Sequence, residues 1–81
     1  MPIRLPGPDA IRQTIAERAA DVSAAPVDHY LGLLGPVEPT YSAGREGPWR
    51  LSYYGGSRQE HDAIERAVGM VQRLNPLMRT N

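Results

Sequence analysis

Apolar residues recur at helical spacing in three stretches of this chain. Ile11, Ile15, Ala19 and Val22 form the first stripe and predict a helix from about Asp9 to Val22. Pro8 and Asp9 suit its first turn. Ser23-Ala24-Ala25 breaks the pattern, and Pro26 reads as the first residue of a second helix. Val27, Tyr30, Leu31 and Leu34 supply its apolar face, and Gly35-Pro36 is a stop signal. Ile64, Ala67, Val68, Val71 and Leu74 mark a third helix, expected from about Arg58 to Leu74 and ended by Asn75-Pro76. Its start carries the strongest local signal in the chain. Ser57 followed three residues later by Glu60 spells a capping box.

Between the second and third stripes the period changes. Thr40-Tyr41-Ser42 and Trp49-Arg50-Leu51-Ser52-Tyr53-Tyr54 read as strands joined by the turn-rich link 43–48. Alternation places Trp49, Leu51 and Tyr53 on one face and Arg50, Ser52 and Tyr54 on the other. Residues 1–8, with three prolines, form an extended arm that could lie on the body as an edge strand. Residues 76–81 form a tail in which Leu77 and Met78 have no helix to shield them. The expected fold is a small α+β domain over residues 9–75: two N-terminal helices, a β-hairpin and a C-terminal helix. Its expected core is Ile11, Ile15, Val22, Leu31, Leu34, Trp49, Leu51, Tyr53, Ile64, Val68 and Val71.

Eighty-one residues make one domain. A chain this short buries about 60–65% of the surface that its unfolded form exposes. The chain contains no cysteine, which excludes disulfides and thiolate zinc sites and favours a reducing, cytoplasmic setting. No apolar run reaches the ~20 residues that cross a bilayer. All nine basic residues are arginine, matched by nine acidic ones. A GC-rich coding bias accounts for that choice better than phosphate recognition does, because the balance shows no basic excess.

The candidate chemistry is sparse. His61 and Glu65 share a helix face at i, i+4, but two ligands do not make a metal site, and His29 with Asp28 could join them only through a tertiary contact. No Gly-x-Ser-x-Gly elbow occurs. No catalytic residue, metal or cofactor is therefore assigned, and the expectation is a protein that is not an enzyme. Gly55, Gly56, Ser57 and Arg58 stand at a strand-to-helix junction, where free N–H groups could hold an anion, although Ser57 already has a sufficient role as a cap. A helix-turn-helix reading of the first two helices fails on charge, since no arginine lies between Arg18 and Arg45.

What remains is the outer surface. A lone hairpin leaves unpaired edges, and Trp and Tyr are common interface anchors. Arg45, Trp49, Arg50 and Tyr54 are the expected partner-binding residues. The first reading is a small protein-interaction module, a subunit, adaptor or inhibitor, which could also pair with itself as a homodimer. A phage or mobile-element origin would suit its size. The alternative is a nucleic-acid-binding regulator using Arg45, Arg50 and Arg58, because arginine with aromatics on a β surface can stack bases. No membrane partner is expected.

Overall fold

The computed structural model describes residues 5–40 and 46–79. The order of its main elements is helix, helix, antiparallel hairpin, helix, as the apolar pattern implies. Helix α1 spans Pro8–Ser23, α2 Val27–Leu33 and α3 Arg58–Leu74. Strand β1 is Val37–Pro39, β2 Glu46–Gly47, β3 Trp49–Leu51 and β4 Met78–Arg79. Among the described residues, no helix is long and apolar enough to cross a membrane.

Helices α1 and α3 share the most extensive interface, and small residues make it close. Ala16, Ala19 and Ala20 on α1 are buried together with Ala63 and Ala67 on α3, beside Ile11, Ile15, Ile64 and Val71. An alanine stripe lets two helix backbones approach while Ile and Val fill the remaining space. The expected core captured Ile11, Ile15, Leu34, Trp49, Ile64 and Val71 and missed all five of these alanines, together with Tyr30, Val37 and Met78. It also misplaced Val22 and Tyr53, which are 42% and 66% exposed. Leu31, Leu51 and Val68 are only partly buried at the edge of the core.

Helix α2 is short and is held by contacts outside itself. Pro26 is its N-cap rather than its first helical residue, and Leu34 ends it in extended conformation. Gly35 is therefore not a left-handed stop; Gly56 is the positive-φ glycine among the described residues. The carbonyls at the end of α2 are instead satisfied by Arg12 of α1. Its guanidinium donates to Leu31 O and, through Nη2 and Nε at 2.9 and 3.3 Å, to Leu34 O. A cation at a helix C-terminus is also favoured by the helix dipole. From the middle of α2, the buried Tyr30 donates its hydroxyl to Ser23 Oγ at the end of α1 at 2.7 Å.

The hairpin begins earlier than expected. Val37 pairs with Leu51, Glu38 with Arg50 and Pro39 with Trp49. Thr40 lies just past β1, with its N–H on Pro48 O at 3.1 Å, while Tyr41 and Ser42 lie outside the described residues. Val37 is buried and gives β1 its hold on the core. The strand expected to reach Tyr54 stops at Leu51, although Leu34 and Tyr54 form a separate bridge. The break reverses the alternation. Tyr53 leaves the core and lies over Gly35, where an added Cβ would meet its ring carbons at 2.7–2.8 Å.

The tail also folds back. Gly47 of β2 pairs with Met78 of β4, and Met78 is fully buried, contrary to the expectation that no helix would shield it, since β4 also packs on α1. Arg79 N–H donates to Pro6 O at 2.9 Å, which ties the end of the N-terminal arm to the tail.

Candidate partner-binding surface

Two residues expected to contact a partner come together in one groove. The cross-strand register puts Arg50 opposite Glu38, and their side chains form a loose exposed ion pair at 3.7 Å. Tyr54, three residues past β3, turns toward α3. Its hydroxyl donates to Glu65 Oε2 at 2.9 Å, and its ring meets the His61 ring edge-on with centroids 4.9 Å apart. The hydrogen bond to Glu65 raises the phenol pKa, with burial and the Glu65 charge adding to it. The tyrosine therefore stays a neutral donor held in one orientation. Between β3 and α3, Arg50, Leu51, Tyr54, Glu65, Val68, Gly69 and Gln72 line an open groove of about 290 Å3. Gly69 leaves its floor without a side chain, and Gln72 closes one wall by donating to Trp49 O at 3.3 Å.

The other two expected contacts fare differently. Trp49 is 2% exposed and donates its indole N–H to Asn75 O at 2.7 Å, just past the end of α3. It is a core anchor that fixes the hairpin to the last helix, and its ring is not available to a partner. Arg45 lies outside the described residues.

The glycine-rich junction before α3 is already occupied by the chain's own carboxylate. Ser57 Oγ accepts from Glu60 N–H at 3.3 Å, while Glu60 Oε1 accepts from Ser57 N–H at 2.7 Å. Both halves of the capping box are thus formed. Gly55 N–H is taken by Leu33 O, and Gly56, at φ 105°, makes the left-handed turn into the helix. An anion approaching Gly55, Gly56, Ser57 and Arg58 would meet the Glu60 charge, so this geometry serves capping. Glu60 is held down to about 2, first by the Ser57 backbone N–H and then by the side chains of His29 and Ser57.

That second partner could not be read from sequence spacing. Glu60 Oε2 contacts His29 Nε2 across 31 positions of chain. His29, Tyr30, Ser23, Ser57, Gln59 and Glu60 border an open cleft of about 260 Å3. His61, which the sequence set beside Glu65, instead packs on Tyr54. Among the described residues, no three His, Cys, Asp or Glu side chains gather where they could hold a metal ion.

No protein-family model matches the chain, no curated protein matches it, and no solved structure matches its fold.

Proposed function

We propose that the protein is a non-enzymatic interaction module, a subunit, adaptor or inhibitor that works in the cytoplasm by occupying a protein partner's surface. The observation that carries this reading is the groove between β3 and α3. It presents an arginine, an oriented tyrosine and a partly apolar floor of Leu51 and Val68 on an open face. Arg and Tyr are enriched among residues that dominate binding energy, and an apolar centre with a polar rim is the usual anatomy of such surfaces. Signs of both charges stand on this face, with Glu38 beside Arg50 and Glu65 beside Tyr54. That mixture suits a protein and opposes a phosphate backbone, which supports the protein reading over the nucleic-acid one.

The test is capture from the native host with wild type and with the double variant Arg50→Ala/Tyr54→Ala. The expected result is a stoichiometric protein partner, held by wild type at raised salt and lost by the variant, while circular dichroism shows both equally folded. Retention of nucleic acid that vanishes as salt rises would contradict the reading, as would capture indifferent to the double substitution.

A further inference from the structure

A second face carries a different pattern. On the seam between α1 and α3, Arg18, Met70, Arg73 and Leu74 line an open cleft of about 310 Å3. Met70 and Leu74 are one turn apart on α3 and so follow one line along the helix. Leu74 is 66% exposed, although it belongs to the apolar stripe of α3. Val22, one turn beyond Arg18 on α1, is 42% exposed in the same way. The apolar stripes of both helices thus run past the core into solvent.

The charges that line the cleft are of one sign. Arg18 and Arg73 both border the cleft, and among the described residues neither forms an ion pair. Two other arginines behave differently: Arg66 pairs with Asp62 and Arg50 with Glu38. The seam therefore combines an apolar line with two unneutralised guanidinium groups.

We infer that the α1–α3 seam is a docking site for an acidic amphipathic helix of a partner protein, its apolar face on Met70 and Leu74 and its carboxylates on Arg18 and Arg73. A groove between two packed helices accepts a third helix by the same ridge-and-groove fit that joins the first two. Anchors one turn apart on the receiving side match an i, i+3, i+4 set on the incoming one. Guanidinium forks recognise carboxylates through two parallel hydrogen bonds, which fixes the register of the incoming helix. This site lies on residues separate from the Arg50–Tyr54 groove, so neither inference depends on the other.

The experiment uses two synthetic amphipathic peptides with the same leucine face, one flanked by glutamate and one by lysine. Binding is followed through the methyl resonance of Met70 in methionine-labelled protein. The glutamate peptide should shift that resonance and bind at least about tenfold more tightly than the lysine peptide. Arg18→Glu/Arg73→Glu should reverse the preference. Arg73 also complements the dipole in the last turn of α3, so Arg18→Glu alone serves as a second variant and should lessen the preference without unfolding the helix. Equal affinity for both peptides would overturn the proposal. So would no binding of either, or a Met70 resonance that changes only with protein concentration, which would point to a second copy of the chain on this face.

Discussion

Ala24 holds a left-handed conformation at φ 57°, ψ 39° just past α1, a place where glycine is the usual occupant. The turn is required because the chain must reverse direction at once into Pro26 and α2. A Cβ in this region is unfavourable by roughly 1–2 kcal/mol, part of which glycine returns through its freer unfolded state. Ala24→Gly should therefore stabilise the protein by up to about 1 kcal/mol in urea denaturation; a destabilised variant would show that the alanine methyl packs usefully. Glu60 makes a pH-dependent contribution of known sign. Its carboxyl sits at about 2 against an ordinary 4.5, so its stabilising effect is complete above the unfolded value and is lost as the pH falls through the folded one. Acid titration of wild type should lose stability between pH 4.5 and about 2. Ser57→Ala, which removes one arm of the cap, should already cost about 1 kcal/mol at neutral pH, and Glu60→Gln should flatten the acid limb. An acid limb unchanged in Glu60→Gln would remove Glu60 as its source. The carboxylate is partly open to solvent, so salt should weaken the effect.

The elements divide by how local their causes are. Helices α1 and α3 were legible because their signals lie within a few residues: apolar stripes, Pro8, and Ser57 with Glu60. The hairpin was legible in kind but not in register, because Val37, a single apolar residue between two prolines, carries no period of its own. Only burial against the core shows it to be the strand residue. Tyr53 was misread for a related reason, since alternation predicts a face only while the ladder continues, and the ladder stops at Leu51. The Arg12 contacts to the end of α2 and the His29–Glu60 contact join residues 19 to 31 positions apart, and no short-range pattern encodes them. Half of the candidate site followed the same rule. Arg50 and Tyr54 were found by type and face, whereas Glu65, Val68 and Gly69 were added by the packing of α3. The tail gives the element-scale prediction. Met78 is fully buried although it lies outside every helix. Met78→Ala should cost about 2–5 kcal/mol, as for other large-to-small core substitutions. Chemical denaturation that shows less than 1 kcal/mol of loss would mean that β4 is peripheral to folding.

At the scale of the whole molecule, the elements enclose a small and largely apolar interior. Its interior is filled by alanine, isoleucine, valine, one leucine, one tyrosine, one tryptophan and one methionine, and among the described residues it buries no charged side chain. The three clefts described above are open grooves of about 260–310 Å3 between elements. The surfaces that distinguish this molecule are its two grooves along α3, one edged by Arg50 and Tyr54 and the other by Arg18 and Arg73. Because α3 forms a wall of both, it is the common support on which partner binding would depend. The most direct test is hydrogen–deuterium exchange on the free protein and on its complex with the captured partner. Added protection is predicted at residues 50–54 and at 65–72 on α3. Protection confined to other segments, with these two unchanged, would contradict the account.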